Sequence, residues 1–571
     1  MFHTHVQKAA FSILREQLSG PNSEANKILL FDHETINFLV PLISKQELLT
    51  FGYVLKNDIS RFKNSAIRDP GVKSIIKSMN CYCFLRLTQE NLEHLKILLS
   101  ESICKSYFLY FTNSIPNNFI EELAESDRHC LIIEMKEVFV DFSALGSIYF
   151  SFGLSNLDSM INATNYEVKN LIYGRITDSL YSVLCSLNFK PYIRYDACSN
   201  HAKIIADKLN HAISHNHDQG SYTEICNVLI LDRKSDVMTP LRHFPEFFPL
   251  IHDLLRIENN FVNISNAEKT LKKSQNTCYE LNEMNDPLLP RHRFSNISEL
   301  GEELSVYINK IKNGKTTKQN DNKTSTPNTE ETDSINAILQ YLETFDVLDD
   351  EKEKSEYNKK FQILNVIINQ ISPALKLTDF IRKESSMLKL KSENEDYDAV
   401  IDAIYSIDND NQRNHVLRLA TIFSLLYNHT ATGANHVELI KKALTQHGFT
   451  QGDFNFTLID KVLQINEEYS SSYKNVVKKN IPDFRSNGSQ PRLALILEHA
   501  SKNKLSEVQF PFAGKKGNSK YWIVFYVGGA TYQEVNCATN IKNINIIIGG
   551  TTFHNADSFL KEEVLTSRLN H

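Results

Sequence analysis

Short apolar runs alternate with amphipathic stretches near both ends of this chain, but not in its middle. Near the N-terminus, residues 28–31, 81–87, 107–111 and 131–133 have the length and residue types of buried strands. Between the second and third runs, Thr88 can cap a helix that carries leucines on one face. Strands that alternate with helices in this way predict a parallel sheet with crossover helices.

A second unit of the same kind follows Asp141. Its pattern predicts a helix over 164–187, an extended segment at 191–195, a helix over 202–214 and a buried strand at 228–231. The α/β pattern then stops, because the chain from about residue 236 shows helical periodicity and few β-branched runs.

The α/β pattern returns near the C-terminus, with strands predicted at 521–527 and 544–548 and a helix at 532–539. These strands are expected to join the sheet begun near residue 141. The fold class is therefore α/β plus α, with two parallel-sheet domains, the second discontinuous, and a large helical domain inserted in the second. The predicted segments are domain 1 at 1–140, domain 2 at 141–235 and 483–571, and domain 3 at 236–482.

Within the helical section, residues 312–334 are poor in large apolar side chains and rich in Asn, Thr, Lys and Glu. Such a segment buries too little apolar surface to offset its loss of conformational entropy. It is predicted to be a disordered insertion at the tip of a helical hairpin.

The composition excludes several classes of protein. The 571 residues, 42% of them hydrophobic and 23% charged, indicate a globular protein of several domains. A net charge of -6 argues against a general nucleic-acid binder. The longest apolar stretches, such as 521–530, are too short to cross a bilayer, and residues 1–20 lack the apolar core of a signal peptide. A cytoplasmic protein with reduced cysteines is expected.

Several motifs allow a catalytic interpretation. The glycine pairs 528–529 and 549–550 each follow an apolar run, where a phosphate-binding loop would lie, but neither matches a nucleotide-binding fingerprint. Tight turns are the favoured interpretation. Asp232 and Arg233 could form a catalytic acid/base set, or a charge-assisted pair that locks the junction between the α/β and helical sections. The structural role is favoured.

Two further patterns have a simple structural explanation. His211 and His215, with His217 nearby, have a zinc-compatible spacing but lack the glutamate of a metalloprotease helix. The residues at 120–124 and 135–138 could form either a core face or a shallow apolar groove for a peptide. Spacing alone favours the core, because every amphipathic helix carries such a stripe.

The densest motif resembles the signature of the SM family, the Sec/Munc-type regulators of SNARE-mediated membrane fusion. It comprises Leu229-Ile230-Leu231-Asp232-Arg233, Asp236, Thr239-Pro240-Leu241 and His252-Asp253-Leu254-Leu255. Other segments agree in order along the chain: Pro191-Tyr192-Ile193-Arg194-Tyr195, Arg418-Leu419-Ala420 and Val527-Gly528-Gly529-Ala530-Thr531-Tyr532-Gln533-Glu534. The resemblance covers about residues 26 to 565.

Three stretches resemble the endosomal branch of that family. They are Ser44-Lys45-Gln46-Glu47-Leu48-Leu49, Leu123-Ala124-Glu125-Ser126-Asp127, and Gly549-Gly550-Thr551-Thr552-Phe553-His554-Asn555 with Ser558-Phe559-Leu560. The chain also departs from the family, which usually has Asp-Pro-Val at 236–238 and Trp-Thr-Tyr at 245–247. The contacts that the family tryptophan makes are therefore not expected here.

The resemblance implies a three-domain arch and a non-enzymatic protein without a cofactor. Its implied partners are a Qa-SNARE (a syntaxin), the assembled SNARE complex and, as an open alternative, a Rab effector, with no nucleic acid. The implied location is cytoplasmic, with peripheral attachment through SNAREs to endosomal, Golgi or vesicle membranes. The alternative function, kept open here, is an α/β enzyme or nucleotide-binding protein that uses Asp232, Arg233 and the glycine pairs.

The resemblance also implies residue roles. A groove on domain 1 for the SNARE N-terminal peptide would be lined by Ile120, Leu123, Ala124, Met135 and Val138. A cleft for the folded syntaxin would include Lys56 and Asp58. The structural signature comprises Asp232, Arg233, Asp236, Thr239, Pro240, Gly528, Gly529, Thr531, Tyr532 and Glu534.

Overall fold

A computed structural model describes residues 5–19, 26–62, 70–155, 165–215, 223–264, 278–304, 306, 351–449, 457–477 and 490–564. The predicted insertion at 312–334 lies outside these residues. Within the described ranges, no helix combines the length and the apolar character that a bilayer crossing requires.

The N-terminal unit is built on a five-stranded parallel sheet with the strand order β2-β1-β3-β4-β5. The strands are β1 Lys27–Phe31, β2 Tyr53–Asp58, β3 Asn80–Leu85, β4 Ser106–Phe111 and β5 Ile132–Glu137. The helices are α1 Val6–Ser19, α2 Thr35–Leu39, α3 Lys45–Thr50, α4 Pro70–Lys77, α5 Gln89–Ser100 and α6 Asn117–Ser126.

The local predictions for this unit are largely confirmed. All four predicted strands are present, and the Thr88 side chain accepts a hydrogen bond from the Asn91 N–H at the start of α5. The strand β2 was not predicted, since it is an edge strand whose second half, Lys56 to Asp58, is polar and ends the apolar run after three residues.

The chain continues with β6 Tyr149–Ser151, α7 Tyr166–Leu187, β7 Phe189–Tyr195, α8 Asn200–His215 and β8 Glu224–Asp232. A small antiparallel sheet then forms from β9 Ile257–Glu258, β10 Phe261–Asn263 and β11 Cys278–Glu280. This sheet was not predicted, because strands of two or three residues are too short to show an alternating pattern.

The helical section extends from α9 Phe247–Leu255 to α17 Thr457–Val477. Between these helices lie α10 Leu289–His292, α11 Glu351–Val366, α12 Ser372–Leu375, α13 Leu377–Met387, α14 Glu393–Tyr405, α15 Arg413–Tyr427 and α16 Ala431–Gln446. Every residue of α15 from His415 to Tyr427 is buried. This helix is therefore enclosed on all sides.

The last segment contains α18 Arg492–Ser501, β12 Phe512–Ala513, β13 Tyr521–Val527, α19 Tyr532–Thr539, β14 Asn545–Gly550 and α20 Ala556–Ser558. Its strands complete a six-stranded sheet with the order β12-β7-β8-β13-β14-β6, parallel except for β12. β13 lies beside β8, so the predicted discontinuous α/β unit is present. The exact domain boundaries at 140, 235 and 482 stay predictions.

A buried ion cluster joins the first sheet unit to α7. Glu34 accepts hydrogen bonds from Arg86 Nη1 and Arg175 Nη2, both at 2.9 Å. Asp141 accepts from Arg86 Nε at 3.1 Å and from Arg175 Nη1 at 2.6 Å. Burial opposes the ionisation of Glu34, but the charges of Arg175 and Arg86 outweigh it and lower the pKa of this carboxyl. The cluster fixes the relative position of the two α/β units.

Candidate functional site

The residues predicted for the groove lie on α6, on the edge strand β5 and directly after it. Ile120 is 38% exposed, Ala124 is exposed and Met135 is half-buried, so all three have accessible side chains; they are called here the groove surface. Ile133 on β5 is 62% exposed and was not predicted. Its exposure follows from its position on an edge strand, which only the order of strands in the folded sheet reveals.

Leu123 and Val138 require a correction. Leu123 is fully buried in the core that packs against one face of the first sheet, with Phe119 beside it in the same core. Val138 is 3% exposed and belongs to a different core. Neither side chain offers accessible surface. On α6, Leu123 lies four residues from Phe119 on the core face, whereas Ile120 and Ala124 lie at the edge of that face.

A second candidate site is a cavity of about 260 Å³ between the first sheet unit and the small antiparallel sheet. We call it the cleft. Its lining is mostly apolar, with Leu29, Ile36, Leu39 and Ile43 on one wall and Phe261 on the other. Aliphatic and aromatic walls with a few polar groups at the rim are typical of binding clefts.

The two residues predicted for this cleft differ in their position. Lys56 lines the cavity from β2. Asp58 does not belong to the cavity lining. Its carboxylate accepts hydrogen bonds from the Ser60 N–H at 2.8 Å and from Ser60 Oγ at 2.6 Å. The Asp58 carboxylate therefore stabilises a local turn, a role that Asp commonly has at the start of a helical turn.

The signature residues form a buried charge cluster rather than a binding surface. Arg233 is 2% exposed, and its Nη1 donates to both carboxylate oxygens of Glu534 at 2.9 Å. Its Nη2 donates to the Asp236 carbonyl at 2.6 Å. Asp236 Oδ2 accepts from Thr239 Oγ1 at 2.6 Å. Thr531 and Glu534 form a capping box that begins α19.

The protonation of this cluster follows from its pairing. Burial opposes the charge of Asp236, but Arg233 and the Thr239 hydrogen bonds outweigh it, so the pKa of Asp236 lies below its ordinary value. Burial raises the pKa of Glu534, an effect that Arg233 only partly offsets. For Arg233, burial opposes the charge, yet the Glu534 and Asp236 charges raise its pKa.

The structural role favoured for Asp232 and Arg233 is present, but their predicted mutual pair is wrong. Asp232 accepts from Ser199 Oγ at 2.6 Å and from the Lys234 N–H at 3.0 Å, whereas Arg233 pairs with Glu534. Successive residues at the end of a strand point in different directions, so neighbours in sequence cannot pair easily. Pro240 lies in a short 3₁₀ turn, Thr239–Leu241, that follows this junction.

The glycine pairs also differ from one another. Gly528 and Gly529 have φ of 84° and 90°, so they form the expected turn, and a Cβ at Gly529 would lie 2.3 Å from the His554 ring. Gly549 and Gly550 lie inside β14, where a Cβ at Gly549 would meet the Phe150 ring at 2.2 Å. The second pair is therefore not a turn, and small residues are needed there for close packing.

Two other family-like motifs tie distant segments together. Arg194 in β7 donates to the carbonyls of Phe510 and Leu505 at 2.8 and 3.0 Å. Arg418 in α15 donates to Asp253 Oδ2 at 2.9 Å. At the departure near 245–247, Phe247 is fully buried in the core. These motifs hold the helical section and the C-terminal segment in place.

Metal binding finds no support among the described residues. They contain no group of three or more His, Cys, Asp or Glu side chains arranged to hold a metal ion. The rings of His211 and His215 stack at 3.8 Å at the exposed end of α8. His217 lies outside the described residues.

Acid is expected to destabilise the fold through two buried histidines. Burial lowers the pKa of His252 and His554 to about 4. His252 Nδ1 accepts from the Ile257 N–H at 3.0 Å, so a proton on that nitrogen would face a donor. Between pH 6.5 and about 4 the unfolded chain binds more protons, and stability therefore falls as the pH falls, by about 1.4 kcal/mol per pKa unit for each group.

The measurement is the thermal unfolding midpoint between pH 7 and pH 4.5, compared for the native chain and His252→Gln. The variant should lose less stability on acidification, because glutamine cannot be protonated. His211→Gln is the matched control at an exposed site. Identical pH profiles for the native chain and His252→Gln would contradict the assignment.

The fold and these motifs define a class of protein in which a helical section is inserted into the second of two parallel-sheet units. The Sec1 family model matches residues 27–562, and the chain belongs to the Sec1 family. The chain is 24% identical to vacuolar protein sorting-associated protein 45 of Dictyostelium discoideum over 563 residues, 95% of this chain and 93% of that protein. The predicted family and the resemblance to its endosomal branch are confirmed.

Two solved structures show the same fold. The SM protein Vps45 in complex with the Qa SNARE Tlg2 has a TM-score of 0.77 and 22% identity, over 98% of this chain and 97% of that one. Sly1p in complex with an N-terminal peptide of Sed5p has a TM-score of 0.72 and 17% identity, over 99% of this chain and 98% of that one.

Proposed function

We propose that this protein regulates SNARE-mediated vesicle fusion in endosomal, trans-Golgi and vacuolar transport by binding a Qa-SNARE and promoting SNARE complex assembly. The observation that carries the proposal is the match over nearly the whole chain to the Sec1 family and to the fold of Vps45, a protein solved in complex with a Qa SNARE. The proposed location is the cytoplasm, with attachment to membranes through SNAREs.

The same proposal includes a division of labour within the chain. Residues 1–140 would bind the syntaxin, and residues 236–482 would help template SNARE assembly, between the two parts of domain 2 at 141–235 and 483–571. Two surfaces support the first role. The groove surface suits an apolar anchor of an N-terminal peptide, and the cleft with Lys56 at its rim suits a larger partner segment.

The proposed activity is stoichiometric binding without turnover. The residues of the alternative enzyme hypothesis support this, since Arg233 is buried and its guanidinium is paired with Glu534 and the Asp236 carbonyl. Gly529 is closed off by the His554 ring, which leaves no room for a phosphate beside the turn. These positions hold the fold together.

Calorimetric titration with the cytosolic domains and the N-terminal peptides of Qa-SNAREs from the same cell tests the proposal. One Qa-SNARE should bind saturably at one to one. A peptide of the same composition in scrambled order is the control, because it keeps the charge and removes the order of the apolar anchors. If no Qa-SNARE domain or peptide binds the folded protein, the proposed function is wrong.

A further inference from the structure

The two walls of the cleft belong to parts of the chain that are far apart in sequence. One wall comes from residues 29–56 of the first sheet unit, and the other from residues 261–285 around the small antiparallel sheet. The width of the cavity therefore depends on the bonds that cross between these walls. Their chemistry decides whether the cleft is held at one width or can open.

Asn282 makes the buried bond across the cleft. This residue is 3% exposed and lines the cavity. Its Nδ2 donates to the Pro41 carbonyl, on the opposite wall, at 2.8 Å. The same nitrogen donates to Glu280 Oε1, on its own wall, at 3.0 Å.

The carbonyl oxygen of the Asn282 side chain is also fully used. It accepts from the Met284 N–H at 3.1 Å and from Gln7 Nε2, in the N-terminal helix α1, at 3.1 Å. A primary amide has two donor and two acceptor positions, and all four are occupied here. One side chain thus links α1, the first sheet unit and the small sheet.

A second bond joins the same two parts of the chain. Asn259 Nδ2 donates to Asn37 Oδ1 at 2.9 Å in a partly buried position. Both crossing bonds are neutral amide hydrogen bonds, which contribute modestly to stability but are costly to leave unmade when buried. Walls held in this way can separate without breaking an apolar core.

We propose that Asn282 is a positioning residue that sets the width of the cleft, and that α1 holds it in place through Gln7. The inference deepens the proposed function, since the cleft is the proposed site for the folded Qa-SNARE. Asn282→Asp removes the donor to Pro41 and places a carboxylate beside that of Glu280. Across the cleft, a carboxylate oxygen then faces the Pro41 carbonyl oxygen, two acceptors with no proton between them, so the walls should separate.

The test measures the wall separation directly, without a SNARE. Spin labels are placed at Leu49 on α3 and Glu258 on β9, which are 66% and 68% exposed, in a background where exposed Cys130 and Cys278 are serine. Asn282→Asp should shift the distance distribution to longer values and broaden it. Asn285→Asp is the matched control.

Asn285 suits this purpose because it also lines the cleft and donates to Glu280 Oε1 at 3.0 Å, but it is exposed and this bond stays on its own wall. Its variant should leave the distances unchanged. An unchanged distribution in folded Asn282→Asp would overturn the proposal. If Asn282→Asp does not fold, Gln7→Met is measured instead. This variant removes only the bond from α1, and its distribution of distances between the spin labels must broaden.

Binding of the Qa-SNARE cytosolic domain gives the second readout. Asn282→Asp should weaken it about tenfold, while binding of an N-terminal peptide to the groove surface stays unchanged. The proposed function and the proposed role of Asn282 can each be overturned without the other. Loss of all SNARE binding in the native chain would overturn the proposed function and leave the distance result intact, whereas equal SNARE affinity of native and variant chains would overturn the role of Asn282.

Discussion

Replacing Arg233 by Met is expected to lower the free energy of unfolding by about 3 to 5 kcal/mol, since it leaves Glu534 and Asp236 as buried charges without their cation. The three groups lie where β8, the start of the helical section and α19 meet, so the loss should affect the whole second sheet unit. Thermal and denaturant unfolding of the purified variant measures the effect.

Two further variants separate the buried pair from a general loss of charge. Arg382→Met removes an arginine whose side chain is 78% exposed and which pairs with Asp379, and it should cost less than about 1 kcal/mol. Adding Glu534→Gln to Arg233→Met should restore part of the stability, because the uncompensated carboxylate is removed. An Arg233→Met protein as stable as the native chain would show that the cluster does not hold this junction.

Substitutions at Leu123 and Ile120, on the same helix, are expected to affect different properties. The change at Leu123 should lower stability, and the change at Ile120 should weaken peptide binding. Leu123→Arg places a charge in a fully buried position and should destabilise the first sheet unit by several kcal/mol. Ile120→Glu changes a partly exposed side chain and should leave stability within about 0.5 kcal/mol. It should nevertheless weaken binding of the Qa-SNARE N-terminal peptide by about 30-fold or more, as expected for an anchor contact.

Unfolding and peptide titration must be measured on both proteins. Ile225→Glu is the matched control, since Ile225 is 43% exposed on β8 in the other sheet and should affect neither property. A stable Leu123→Arg protein that has lost only peptide binding would show that Leu123 does line the groove. Peptide binding unchanged in Ile120→Glu would remove the groove surface from the proposed function.

The candidate sites were predictable to different degrees. Of the five residues predicted to line the groove, three are accessible and two are buried. The accessible residues are Ile120, Ala124 and Met135, and the buried ones are Leu123 and Val138. A motif marks a segment of chain, and it does not say which of its side chains point to solvent. The cleft was indicated only through Lys56, because its far wall comes from residues beyond 260.

The sequence alone determined most of the buried strands and helices of the α/β units, the positions of Thr88 and of the turn at Gly528, and the family to which the chain belongs. These features are local, since periodicity, caps and turns depend on residues within a few positions of each other.

Only the tertiary structure decided that Arg233 pairs with Glu534, 301 residues away, and that Asn282 reaches Pro41 across the cleft. Such partners depend on which strands become neighbours and on how far each element turns a side chain inward. A local pattern carries neither quantity, because both are set when distant segments bury their apolar faces against each other.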